Sequence, residues 1–176
     1  WGDTDGAKYR DSYFSTFDGV WRHGDWVTID DEGGVVISGR SDATLNRGGV
    51  RLGTADFSTV VETDPDVADS IVVHLEDPDG GLGELILFGA LTDGATSDDA
   101  TRSRLARALR TELSPRHVPD QIVTMPAIPR TISGKKLEVP VKRILQGVDP
   151  DRAASRGALA DPAALDPFVE WARSRS

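Results

Sequence analysis

Apolar and polar positions change period along the chain, and each period predicts a different element. Near the start, Trp26-Val27-Thr28-Ile29 and Val35-Val36-Ile37 are β-rich runs flanking Asp31-Glu32-Gly33-Gly34, a pattern that predicts a hairpin. Tyr13, Phe14, Phe17, Trp21 and Trp26 crowd its approach. An isolated hairpin is marginal in water, so this one is expected to pack on further protein. Residues 39–53 are rich in Gly, Asn and Arg with weak hydrophobic patterning, and read as a linker or a functional loop. From residue 54 the pattern becomes compact. Thr54 is the expected cap of a short helix with Phe57, Val60 and Val61 on one face, ended near Pro65. Residues 71–75 and 84–91 read as strands across an Asp77-Pro78-Asp79-Gly80-Gly81 turn. Residues 97–113 carry the clearest helical period. Leu105, Leu109 and Leu113 fall on one stripe, and Asp98 stands four positions before Arg102 as a favourable pair. Pro115 and Pro119 break that helix, residues 121–125 form a third strand, and residues 141–145 begin a last short helix.

This order predicts an α+β domain, a small three-stranded sheet with flanking helices, preceded by the hairpin. The expected divisions are residues 1–41, 42–147 and a C-terminal extension, 148–176. The extension has two readings: ordered, with Leu165, Phe168, Val169 and Trp171 docked, or partly mobile. A domain this small has little room for a buried pocket, so its chemistry is expected on loops.

Composition narrows the function. Net charge is −9, which argues against a nucleic-acid or anionic-membrane binder because both need a basic face. It leaves room for a local phosphate site. The chain has no cysteine, which excludes a disulfide framework, a zinc ribbon and a thiol nucleophile, and fits a reducing cytoplasm. No apolar run reaches membrane-spanning length and no signal peptide opens the chain. The sequence begins at Trp1 and holds a single methionine, Met125, so it reads as a piece of a longer protein.

Three loop segments carry candidate chemistry. In Trp21-Arg22-His23-Gly24-Asp25-Trp26, Asp25 is placed either to accept a ribose diol or simply to satisfy turn N–H groups. His23, His74 and His117 show no metal-ligand spacing, and no metal site is expected on this chain. Residues 39–53 place Arg40, Arg47 and Arg51 among glycines, which suits phosphate oxygens or a solvated linker equally. In Pro129-Arg130-Thr131-Ile132-Ser133-Gly134-Lys135-Lys136 an ammonium stands on a Ser-Gly loop, able to reach a phosphate or carboxylate as charge develops. The loop is not a Walker A motif, because the upstream glycine and the following Ser/Thr are missing.

Four motifs in these segments, Gly-Asp, Gly-Arg-x-Asp, Gly-x-Arg-Leu-Gly-Thr-Ala and Pro-Arg-Thr-x-Ser-Gly-Lys in this order, resemble the C-terminal motifs of the adenylate-forming superfamily of acyl- and aryl-CoA synthetases, adenylation domains and luciferases. The resemblance covers nearly the whole chain. Residues 19–25, 41–47 and 114–120 look most like the members that activate acetoacetate. The resemblance implies that residues 1–41 end a large N-terminal AMP-binding domain and that residues 42–147 are the mobile C-terminal domain, which swings between two orientations. It implies ATP with Mg2+, the metal held mainly by the N-terminal domain, and coenzyme A, with acetoacetate as acyl substrate. It also implies residue roles. Asp25 matches the ribose-binding aspartate, and Arg40 and Arg51 match arginines near the ribose and phosphates. Asp42 matches the hinge, Gly49 the backbone against the pantetheine channel, and Lys135 the lysine of adenylation. Arg110 matches in spacing an arginine that meets the CoA nucleotide phosphate, or else it only solvates its helix. Ala43 and Gly48 depart from the usual pattern, an acidic and a small polar residue respectively, without touching a charge-bearing role. Two rivals remain open at this point: an acetyl- or propionyl-CoA synthetase, and a non-catalytic α+β interaction domain.

Overall fold

A computed structural model describes residues 3–40 and 45–175, with residues 8, 26 and 38–40 described in backbone alone. The chain separates into two compact units, Trp1–Asp42 and Ala43–Ser176.

The first unit opens with α1 (Ala7–Tyr13), whose first turn is closed by Asp5 and Asp3 accepting from the backbone N–H groups of Ala7 and Tyr9. Its aromatic residues form a row, with Tyr9 tilted against Tyr13 and Tyr13 stacked on Trp21. The hairpin follows as β1 (Asp25–Ile29) and β2 (Val35–Arg40), antiparallel with a bulge at Trp26/Val27. Asp30 Oδ1 accepts from Glu32 and Gly34 N–H at 3.0 and 2.6 Å, which ties the turn. Val27, Ile29, Val35, Val36 and Ile37 are all exposed.

The second unit contains a layer of three strands between two cores. Strand β5 (Val67–Leu75) pairs antiparallel with β6 (Glu84–Leu91), and β6 pairs parallel with β7 (Gln121–Thr124). Alternation along β5 and β6 splits their side chains between the two faces. Ile71, Val73, Ile86, Phe88 and Ala90 face a core completed by Val141, Ile144, Leu165 and Phe168. Val72, Leu85 and Leu87 face a second core of Leu52, Phe57, Val60, Leu105 and Leu109. Burial on both faces explains why these strands read as nearly continuous apolar runs. The first core is covered by α4 (Glu138–Leu145) and α6 (Asp166–Ser174), with α5 (Pro150–Ala153) between them, and the second by α2 (Thr54–Val61) and α3 (Asp99–Glu112).

Several expectations are corrected. Part of the segment read as a linker or loop is a small hairpin, β3 (Leu45–Arg47) with β4 (Val50–Leu52), because Leu45 and Leu52 both reach the second core. Thr54 is inside α2, and the cap is Gly53 without a side-chain bond. Asp98 caps α3 by accepting from Thr101 N–H at 2.7 Å, and Arg102 instead pairs with Asp99 at 3.0 Å. The extension is ordered: Leu159, Leu165 and Phe168 are buried, and the Phe168 and Trp171 rings both lie edge-on to Phe88, with centroids 5.0 Å away.

Two outcomes test this architecture. Phe168→Ala should destabilise the chain by about 3–5 kcal/mol, measured by denaturant unfolding, because the ring is wholly buried. Arg104 bridges α3 to the β5 approach, donating to both Asp64 oxygens at 2.6 and 3.0 Å and to Asp66. The Arg104 hydrogen bond is the main cause that holds the Asp64 carboxyl below its ordinary value, against the upward push of burial. A depressed carboxyl contributes stability above the unfolded value, 3.8, and loses it as pH falls through the folded pKa. Arg104 is partly exposed, so Asp64→Asn should cost only about 1 kcal/mol near neutrality. The melting-temperature gap to wild type should close as pH falls below 4.

Candidate functional site

The lysine loop is closed by its own backbone. Arg130 and Lys136 form an antiparallel bridge, and Gly134 turns the chain at φ 83°. Thr131 N–H donates to the Lys135 carbonyl at 2.8 Å, and Lys135 N–H donates to the Thr131 hydroxyl at 3.0 Å. The extension lies alongside: Ile132 N–H donates to the Ala158 carbonyl at 3.0 Å, and Ala160 N–H donates to the Arg130 carbonyl at 2.9 Å.

Side chains then separate the two lysines. The Lys136 ammonium donates to Ser58 Oγ at 2.8 Å and Glu62 Oε1 at 2.5 Å, and lies 3.2 Å from Asp69 Oδ1. Arg130 forks onto Asp69, Nε to Oδ2 at 2.7 Å and Nη2 to Oδ1 at 2.8 Å. Burial pushes the Asp69 carboxyl up, but Arg130, Lys136 and the Ser70 N–H together hold it below the usual carboxylate range. Lys135 is exposed, and among the described residues its ammonium makes no hydrogen bond or ion pair.

A second group sits on the β3–β4 hairpin. Gly48 and Gly49 form its two-residue turn, both at positive φ (58° and 77°), as a type I′ turn requires. The surroundings of Gly49 are open, whereas a Cβ on Gly48 would meet Leu82 Cδ2 at 2.7 Å. Arg51 is exposed opposite Asn46. Arg47 is internal: it donates to the Val118 carbonyl at 2.8 Å and to Asp120 at 2.6 Å. The other Asp120 oxygen accepts from Leu85 N–H at 2.8 Å.

The register places these groups at opposite ends of the sheet. The lysine loop is anchored at Asp69, which pairs with Ala90, and the glycine turn is tied through Asp120 to Leu85. Five residues of strand separate those ends by about 17 Å. Arg104 of α3 reaches Asp64 and Asp66 at the lysine end. Arg110 lies six residues on, about 9 Å toward the glycine turn, and is exposed.

Asp25 and Arg40 are cross-strand partners at one end of the β1–β2 hairpin, and Asp25 pairs with His23. Asp42 lies outside the described residues, and Arg40 is described in backbone alone. His74 is buried with Nε2 against the Leu82 carbonyl at 2.8 Å. His117 shares a hydrogen bond with Ser114 beside Phe57, and burial pushes its imidazole pKa down against the Asp56 charge. Among the described residues no group of three or more His, Asp or Glu could hold a metal ion, and no helix is long and apolar enough to cross a membrane. The supporting residues Asp69, Glu62 and Asp120 carried no local signal, because their partners lie 61 to 74 positions away or 73 and 35 away in the chain.

Residues 58–135 match the AMP-binding enzyme C-terminal domain. Among the proteins the chain is similar to are acetoacetyl-CoA synthetases. It is 45% identical over 170 residues to that of Caenorhabditis elegans, covering 96% of this chain and 24% of the relative. It is 43% identical over 169 residues to that of Rhizobium meliloti (strain 1021), covering 96% and 25%. Among solved structures, acetoacetyl-CoA synthetase from Streptomyces lividans matches with a TM-score of 0.90 at 48% identity, over 100% of this chain and 26% of that one. The amide bond synthetase McbA from Marinactinospora thermotolerans matches at 0.59 and 26% identity, over 74% of this chain and 26% of that one. The chain spans about a quarter of the length of the curated relatives it matches.

The glycine turn supplies a test of the local geometry. Gly48→Ala meets both a positive φ and the Leu82 contact, whereas Gly49→Ala meets only the backbone cost, about 1–2 kcal/mol. The exposed Leu82 tip can swing aside, so urea unfolding should find both variants destabilised by that backbone cost, about 1–2 kcal/mol.

Proposed function

We propose that this chain is the C-terminal part of an AMP-forming acid–thiol ligase acting in the cytoplasm. The reaction is activation of acetoacetate by ATP to an acyl-adenylate with release of pyrophosphate, then transfer of the acyl group to coenzyme A with release of AMP. The observation that carries this reading is the presentation of Lys135. It is an exposed ammonium that pairs with none of the described residues, on a loop closed by its own backbone, while its neighbour Lys136 is bound inside an ion-pair network.

The roles follow from the chemistry. Lys135 contacts the substrate carboxylate and the α-phosphate and offsets the negative charge that grows as they react. Asp25, through its carboxylate oxygens, accepts from the ribose hydroxyls, with Arg40 beside it across the hairpin. Arg51 faces the α-phosphate. Gly49 lets the pantetheine arm approach bare backbone, and Arg110, on the same half of the domain, meets the CoA nucleotide phosphate. Asp42 is the hinge. The separation of Gly49 and Lys135 by the length of a strand suits a domain that turns a different end to the reaction in each step. The acyl pocket, the phosphate loop and the Mg2+ ligands belong to the remaining length of the enzyme, so this chain alone is inactive.

The full-length enzyme provides the test. Lys135→Ala should lower acetoacetate-dependent pyrophosphate exchange on the order of a hundred- to a thousandfold and spare thioester formation from supplied acetoacetyl-adenylate. Equal loss in both steps would refute the assignment. Gly49→Leu should do the reverse, keeping exchange and losing thioester formation. Comparing acetoacetate with acetate and propionate in the wild type decides the substrate.

A further inference from the structure

The role of Lys135 leaves unexplained why its loop carries two more cations, Lys136 beside it and Arg130 five positions earlier. We propose that Asp69 is the positioning residue of this loop: by receiving both Arg130 and Lys136 it fixes the loop base so that Lys135 alone is presented to substrate. This inference rests on the catalytic reading of Lys135.

The geometry supports a clamp rather than a set of incidental surface pairs. The Arg130 fork onto Asp69 is bidentate, and its remaining nitrogen, Nη1, donates to the Gly134 carbonyl at 2.7 Å. One side chain therefore spans the loop and holds the residue immediately before Lys135. The Lys136 ammonium is used up by three oxygens, on Ser58, Glu62 and Asp69. Glu62 is held in turn by the Ser70 N–H at 3.0 Å and its hydroxyl at 2.7 Å. Two cations and two carboxylates make the cluster self-neutralising, so among the described residues it leaves the charge of Lys135 uncompensated and available to an anion. The anchor points lie on α2, its C-terminal cap and β5, the elements that carry Phe57, Val61 and Ile71 into the two cores. Adjacent residues in extended chain face opposite ways, which is how one lysine turns inward and the other out.

A network that only stabilised the fold would weaken both half-reactions together. A positioning network acts on one. In the full-length enzyme, limited acylation with acetic anhydride followed by peptide mass spectrometry should label Lys135 in preference to Lys136. In Asp69→Asn that preference should collapse. Its kcat for acetoacetate-dependent pyrophosphate exchange should fall on the order of ten- to a hundredfold, with KM for ATP and thioester formation from supplied adenylate little changed. Arg130→Ala should show the same split and regain exchange in millimolar guanidinium, which refills the fork. Equal labelling of the two lysines in the wild type overturns the clamp. So do Asp69→Asn and Arg130→Ala enzymes that lose both half-reactions together and gain nothing from guanidinium. A wild-type exchange rate in Lys135→Ala overturns the catalytic reading and the positioning role with it. The labelling contrast tells these failures apart, because it depends on the clamp alone.

Discussion

Burial of β6 on both faces is the constraint on which the second unit depends. Residues 85–90 are buried without interruption, so helices must cover each side, and the alternation of Leu85 and Leu87 against Ile86 and Phe88 assigns them. With β5 on one side and β7 on the other, β6 has no free edge. Its register then fixes where every loop emerges. The lysine loop is held against one end of the β5–β6 pair and the glycine turn against the other, and neither position can shift without moving a core residue to the wrong face.

If the proposed reading holds, this arrangement lets one domain serve two chemical steps from opposite ends. Its candidate groups, Lys135 and Gly49, lie at opposite ends of the sheet. They stand on separate short loops, each pinned by a long-range ion pair: Arg130 to Asp69 for the lysine, Arg47 to Asp120 for the glycine turn. Arginine suits both tasks, since its planar fork fixes direction as well as distance. The loops are thereby more defined than their exposure suggests, and what remains free at each is one cationic head or one stretch of bare backbone.

Much of this was legible in sequence, for identifiable reasons. The three strands of the sheet and the long helix carry periods that packing on two cores enforces. The motifs around Asp25, Gly49 and Lys135 are local, so their residue types and order survive reading along the chain. What sequence concealed was non-local or competitive. Asp98 has one carboxylate and two claimants, and the orphan N–H of Thr101 prevailed over Arg102 because a helix end without a cap leaves donors unsatisfied. Residues 45–52 lack an evident alternation, and only the burial of Leu45 against Leu52 reveals the hairpin. Of the three arginines in residues 39–53, nothing along the chain marks Arg47 as structural until Asp120 and Val118 are brought beside it.

The first hairpin has a consequence of another kind. Val35-Val36-Ile37 and Val27-Thr28-Ile29 expose β-branched side chains on both faces of a two-stranded ribbon, with no proline or lysine between residues 25 and 40 to blunt its edges. That composition is what cross-β stacking selects. Handled in isolation, the chain therefore carries at its amino-terminal side a template for fibrillar self-association, opposed mainly by Asp25, Asp30, Asp31 and Glu32 and by the negative charge of the whole.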